Sequence, residues 1–393
     1  MLSQKIRRNS GILCIVAVIF CTFNDLQAGK TKLKEMPSYL EGYEELWEKD
    51  PKAANLAWFK NADLGLFIHF SPASVVGSGK WAKADHWFTL HGKRNSMDYE
   101  EYDKYLNDIF DSSRYTPEAK KIINSFKPDK FDADAIAKLA SECGMKYITF
   151  TSNHVMGKTF NFDTKTSDLA TTKLPAQRDF VAELSQACEK YKLGLCLYVM
   201  PPYSRPVIYP RLKEMYTELL TNYGHIATMW FDGIGAAKAR RKDFSRTSEV
   251  YALVRELQPH CLISFKQGFN GEEDFLAPEG GKLFKFPIDE DNNLVPYDLH
   301  DTERAAKWKG KHVQVCIPMS AGWFFSPPKN GKELRHRSVE DLMKEYKYIR
   351  EHNGSLLLNV PPCGDGSYHP KFIEFMRDFA KQVEEYEQSR QLK

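Results

Sequence analysis

Residues 131–154 read FDADAIAKLASECGMKYITFTSNH. An amphipathic helix is expected over residues 132–143, Gly144 closes it, and the β-rich run KYITFT of residues 146–151 follows at once. A strand that comes straight off a helix, in a chain where the unit recurs, implies parallel pairing with its neighbours.

The same unit extends in both directions. Further short apolar, β-rich runs stand at residues 64–70 (LGLFIHF), 193–199 (LGLCLYV), 226–231 (IATMWF), 261–265 (CLISF), 313–317 (VQVCI) and 355–360 (SLLLNV). Helices are expected over residues 179–192, stopped by Gly194, and 210–223, stopped by Gly224. Another opens on the capping box of Ser338 and Asp341 and stops at Gly354, and the last covers residues 371–388. These runs give seven strands. An eighth is expected within residues 276–299, where Pro278, Gly280, Gly281, Pro287 and Pro296 break the periodicity. Eight parallel strands fit a (β/α)8-type barrel better than an open doubly wound sheet, and no G-x-G-x-x-G follows the first strand to suggest a dinucleotide. The insertion at residues 77–128 comes after that first strand, where a barrel builds the rim of its active site.

Of the 393 residues, 42% are hydrophobic, 13% aromatic and 27% charged, the composition of a globular chain with a large core. Fifty-five Lys and Arg against 52 Asp and Glu leave a net charge of +3, without the basic excess that nucleic acid binding calls for. Lys5, Arg7 and Arg8 precede an apolar run from Gly11 to Phe23, and Ala28 offers a small residue for cleavage. Residues 1–28 are therefore expected to be a signal peptide, and residues 29–393 one secreted or periplasmic domain, with only about one helix after residue 360 and no second domain at the C-terminus. The apolar run is about 13 residues long, where a membrane span wants about 20. Cys143, Cys188, Cys196, Cys261, Cys316 and Cys363 are scattered singly, so neither a zinc nor a redox motif is expected, and most read as small buried hydrophobes.

In such a barrel the polar residues just past the strand ends face the catalytic mouth. Those positions hold His69, Asn153, His154, Tyr198, Trp230, Asp232 and Lys266, and the loop beyond holds Glu272, Glu273 and Glu279. Trp81, Trp87, Phe88, Phe160, Trp323, Phe324 and Phe325 add aromatic platforms. Carboxylates beside such platforms suit a sugar, whose C–H faces stack on rings while its hydroxyls need donors and acceptors. Asp232, directly after IATMWF, is the candidate nucleophile; Glu279 is the candidate acid/base, with Glu273 and Glu272 in reserve. On the bare sequence, Asp232 also reads as a turn or cap aspartate and the glutamates as a solvated loop. His69 and His154 lack a third ligand at recognisable spacing, so no metal and no cofactor is expected.

Taken in order, LGLFIHF, the quoted 131–154 stretch, NFDTKTSDLATTK, RDFVAELSQACEKYKLGLCLY, ELLTNYGHIATMWFDG and SLLLNVPPCGDG resemble the α-L-fucosidases of glycoside hydrolase family 29. The resemblance runs over residues 53–366. It implies a (β/α)8-like barrel, a retaining two-step hydrolysis and a pocket for one terminal L-fucose of a glycan or glycoconjugate. It also implies that Asp232 is the nucleophile, with Trp230, His69 and Trp87 lining the sugar pocket.

The chain departs from the family pattern at several pocket positions. Asn153-His154-Val155-Met156-Gly157 stands for H-H-D-G-F, His86 for the Glu of E-W-Y, Lys266 for an Arg, and Val313-Gln314 for W-E. Arg and Lys are not interchangeable where a planar fork is used. Two other readings stay open on these departures: the same mechanism on another sugar such as α-L-galactose, with the pocket of Asn153 widened, or a carbohydrate-binding barrel without turnover.

Overall fold

The computed structural model describes residues 35–77, 80–81, 110–154, 159–199, 209–232, 246–266, 268–296, 306–328 and 333–392. The expected signal peptide, His86, Trp87 and Phe88 lie outside the described residues, as does most of the 77–128 insertion.

Eight strands form one sheet: β1 Leu64–Ile68, β2 Tyr147–Thr151, β3 Gly194–Val199, β4 Thr228–Phe231, β5 Leu262–Phe265, β6 Phe275–Leu276, β7 His312–Pro318 and β8 Ser355–Asn359. Their spatial order is β5-β4-β3-β2-β1-β8-β7-β6, and every neighbouring pair is parallel. The two edges meet: the amide of Asp274 donates to the Ile263 carbonyl at 2.8 Å and that of Ala277 to the Lys266 carbonyl at 2.6 Å. The sheet thus curls into a nearly closed (β/α)8-type barrel.

Side chains alternate across each strand, which separates two cores. Phe67, Tyr147, Cys196, Tyr198, Trp230, Leu262, Phe275, Cys316 and Leu357 fill the inside of the barrel. Their outward neighbours, such as Ile148, Leu195, Met229, Ile263 and Leu356, pack under the helices with Ile136, Leu184, Leu219, Val254 and Tyr346. The helices start where their caps place them: Asp132, Asp179 and Ser338 accept from the amides of Ala135, Ala182 and Asp341 at 2.9, 2.9 and 3.1 Å.

Two expectations need correction. The eighth strand is only Phe275–Leu276, at the edge of the expected window, and it gives way to a 3-10 turn, Gly280–Lys285, in a stretch too rich in Gly and Pro to extend the ladder. The helix Phe180–Lys190 ends at Lys190 with Tyr191 as its cap, and Lys192 takes the left-handed turn at φ 54°, so Gly194 is no helix stop. Gly194 opens β3, and a Cβ there would lie 2.5 Å from the ring of Trp58, so glycine serves close packing. Trp58 belongs to a helix the strand–helix pattern does not single out, Pro51–Asn61, which plugs the N-terminal mouth with Trp58 and Phe59. Asn55 on this helix donates to the carbonyls of Ala227 and His260, fixing the plug to the starts of β4 and β5.

The six cysteines among the described residues are unpaired there, five of them buried. Among the described residues no helix is long and apolar enough to cross a membrane.

Candidate functional site

The period of two along each strand decides which residues gather at the C-terminal mouth. Phe67, Cys196, Thr228, Ser264 and Leu357 face inward, so His69, Tyr198, Trp230, Asp232, Lys266 and Asn359 follow on the same face one or two steps later. Register then sets neighbours: Tyr198 pairs with Trp230 across β3 and β4, and Asn359 with Phe67 across β8 and β1.

Asp232 is the centre of the polar group. Tyr198 donates its hydroxyl to Oδ2 at 2.5 Å, and Nζ of Lys266 lies 3.1 Å from Oδ1. The same ammonium lies 2.5 Å from Oε1 of Glu279, whose side chain is half exposed. Two contacts to one nitrogen bound the gap between the carboxylates at a value compatible with the about 5 Å of retaining glycosidases. Burial disfavours the Lys266 charge, but Asp232 and Glu279 outweigh it and hold the ammonium above its ordinary pKa. Burial and the Asp232 charge likewise raise Tyr198, which keeps its proton and remains a donor.

Rings wall the site. Tyr198 stacks on Trp230 at 5.3 Å and on His154 at 5.2 Å, and the Lys266 ammonium sits 5.2 Å above the Trp230 ring. Trp230 is held in turn, since its indole donates to Gln314 at 3.1 Å and Gln314 donates to the Tyr147 hydroxyl at 2.9 Å. The Gln of Val313-Gln314 is therefore part of the wall behind the site. His69 is buried between Phe67 at 4.3 Å and Trp323 at 5.1 Å, and Phe324 packs edge-on against both His69 and His154. Burial, reinforced by His154, pushes the His69 pKa well below its ordinary value, so the ring is neutral.

The remaining candidates fall elsewhere. Asn153 is buried, and its amide donates to the sulfur of Met215 on helix Tyr209–Asn222 at 3.4 Å. Glu273 is buried, and its carboxylate accepts from the amides of Phe269, Asn270 and Gly271, the Tyr251 hydroxyl and the Trp308 indole. Glu272 is exposed and binds the Ser248 hydroxyl at 3.0 Å. Of the three glutamates, Glu279 alone is joined to Asp232 through Lys266. Asn359 was not singled out in the sequence, yet its Oδ1 lies 2.7 Å from Nδ1 of His69. A polar residue inside the apolar run SLLLNV was the available signal. Among the described residues no group of three or more His, Cys, Asp or Glu is arranged to hold a metal.

The sequence pattern of the family described as Alpha-L-fucosidase matches residues 32–388. The chain belongs to that family. α-L-Fucosidase 1 of Arabidopsis thaliana is 26% identical over 358 residues, which cover 84% of this chain and 60% of the plant protein. The human plasma α-L-fucosidase is 27% identical, over 85% of this chain and 69% of its own. This chain spans about three fifths of the length of its plant relatives. Among solved structures, isoenzyme 1 of the α-L-fucosidase from Paenibacillus thiaminolyticus superposes with a TM-score of 0.60 at 21% identity, covering 85% of this chain and 76% of that one. The Lactobacillus casei α-L-fucosidase solved with α-L-fucose product superposes at 0.58, with 21% identity, covering 85% and 99%. These likenesses confirm the α-L-fucosidase barrel as the fold.

Proposed function

We propose that this protein is a retaining exo-α-L-fucosidase acting on fucosylated glycans or glycoconjugates. The observation that carries the reading is the pair of carboxylates, Asp232 and Glu279, gathered on one ammonium at the mouth of an α-L-fucosidase barrel. Asp232, on a rigid strand end, attacks the anomeric carbon and forms the glycosyl ester. Tyr198 and Lys266 steady its oxygens before attack, and their hold weakens as the carboxylate loses its charge to the ester. Once its contact with Lys266 has opened, Glu279 takes up a proton from solvent and delivers it to the leaving oxygen; as a carboxylate it then takes a proton from the water that attacks the ester, and the product keeps its anomeric configuration. Tyr198 and Trp230 back the pocket as a buried stack, and the outer, part-exposed ring of His154 supplies a face on which the sugar's C–H groups stack.

The test is a panel of aryl glycosides including α-L-fucoside and α-L-galactoside, with the first-formed anomer read by proton NMR. Release of fucose as the α-anomer is expected. Preference for the galactoside would move the substrate to another sugar, binding without release would make the barrel a lectin, and a β-anomer would overturn retention. We further propose export, on the basic start and apolar run of residues 5–23; cleavage near Ala28 is read by N-terminal sequencing of the secreted chain.

A further inference from the structure

We propose that Asn359 is a positioning residue that locks His69 with its proton on Nδ1, so that Nε2 is a bare nitrogen able only to accept a hydrogen bond from a sugar hydroxyl. The inference rests on the fucosidase reading for the identity of the sugar, not for the state of the ring.

One group at the site has a forced orientation. The Nδ2 of Asn359 is 2.8 Å from the main-chain carbonyl of Trp323. A carbonyl oxygen only accepts, so the nitrogen of the amide has to face it; the flipped amide would set two oxygens against each other at that distance. Oδ1 is thereby turned to Nδ1 of His69, 2.7 Å away. An amide oxygen only accepts as well, so Nδ1 carries the hydrogen. In a neutral imidazole one nitrogen donates and the other accepts, which leaves Nε2 without a proton.

The surroundings remove the escape routes. His69 is 3% exposed, and its faces are covered by Phe67 and Trp323, so the ring cannot swing away from Asn359. Nε2 lies on the ring edge away from Asn359, and the His69 ring senses the charges of Asp232 and Lys266. Burial keeps the ring neutral, so the second nitrogen does not regain a proton at working pH. The consequence is a rule about ligands. Lys266 only donates and Tyr198 already spends its proton on Asp232, whereas His69 accepts. A hydroxyl satisfies Nε2; a hydrogen or a fluorine in its place cannot.

The experiment has two arms. In the full chain labelled with 15N-histidine, the His69 signals are identified by their loss in His69→Gln, and the spectrum at pH 7 reports which nitrogen is protonated. Protonation of Nδ1 alone is expected; a proton on Nε2, or on both nitrogens, overturns the proposal. In Asn359→Asp, of the same size, the carboxylate still accepts from Nδ1 and draws a second proton onto the ring, so both nitrogens become donors.

The second arm measures inhibition by L-fucose and by analogues with each hydroxyl in turn replaced by hydrogen or fluorine. One position is expected at which both replacements weaken binding about tenfold in the parent, the worth of one hydrogen bond. In Asn359→Asp the fluoro analogue at that position should bind better than the deoxy analogue, because fluorine accepts weakly. Equal ranking of the two analogues in parent and variant would defeat the proposal. If no fucose derivative binds the parent at all, the fucosidase reading fails, and the nitrogen spectrum still decides the state of His69.

Discussion

Oε1 of Glu279 lies 2.5 Å from Nζ of Lys266, so the glutamate is occupied by the ammonium that also holds Asp232. In the proposed mechanism each turnover has to break the first contact while keeping the second. Lys266→Met removes the shared cation and leaves two carboxylates facing each other. A loss in kcat/KM of about 10²-fold is expected, the usual cost of a misplacement of about 1 Å in a catalytic group. Lys266→Arg keeps the charge, but its planar fork changes the geometry, and partial activity is expected. Steady-state kinetics on an aryl α-L-fucoside decide it, and wild-type kcat/KM in Lys266→Met would remove Lys266 from the mechanism.

Asp232→Asn preserves size but removes the attacking charge. We expect kcat to fall by about 10⁴-fold or more, as when a nucleophile is removed from other hydrolases, while fucose binding measured by calorimetry survives. In Asp232→Gly, azide should restore some rate and give the inverted β-fucosyl azide. Turnover above a tenth of the parent in Asp232→Asn would disqualify the nucleophile.

Glu279 and Glu273 should separate cleanly. Glu279→Ala is expected to slow release of a poor leaving group far more than that of an activated aryl group, which needs little protonation. Glu273→Ala strips the acceptor from three amides, a phenol and an indole, and each buried donor left unpaired costs about 1–3 kcal/mol. Its signature is a lower Tm without leaving-group dependence. The reverse pattern would exchange their roles.

Stability should fall as the solution is acidified below about pH 6. Burial pushes His260 and His312 down to about 3 and holds His69 well below its ordinary value. The unfolded chain, with histidines near about 6.5, takes up these protons first, so the stabilisation is complete above that pH and is lost on the way down. Each group contributes a slope of about 1.4 kcal/mol per pH unit. Asp63 works in the opposite sense between about pH 6 and 4, because burial raises its folded pKa to about 6 and the folded chain keeps that proton longer. It offsets one of the three histidines. Urea titrations from pH 7 to 4 test the slope, and His312→Gln should flatten it by one histidine's share; an unchanged slope would refute the assignment.

The barrel was legible because strand periodicity and helix stops are local properties, carried by runs such as KYITFT and by Gly144 and Gly224. β6 escapes because two residues carry no period, and Gly194 imitates a helix stop because its actual reason, the ring of Trp58, is more than 100 residues away. Strand ends predicted the gathering of His69, Tyr198, Trp230, Asp232 and Lys266, since position along a strand fixes which mouth a side chain faces. Glu273 and Glu279 look alike in sequence, as nothing local distinguishes a carboxylate buried in a ring of amides from one facing solvent. Asn153 passes a strand end yet binds Met215, because the chain after β2 bends into a bridge with Phe160.

Lys266 also closes the sheet, since its carbonyl receives the Ala277 amide at the one junction where no ladder of paired strands exists. Its backbone sits in the left-handed region at φ 49°, so the side chain that grips both carboxylates is aimed by the same turn that joins the edges. Staves and latch are therefore one mechanical part: prying the junction apart would carry the ammonium away from Glu279 without touching a catalytic side chain. Exchange of the Ala277 amide proton with solvent becomes a gauge of whether the enzyme is poised, and a sugar seated between the carboxylates should slow it.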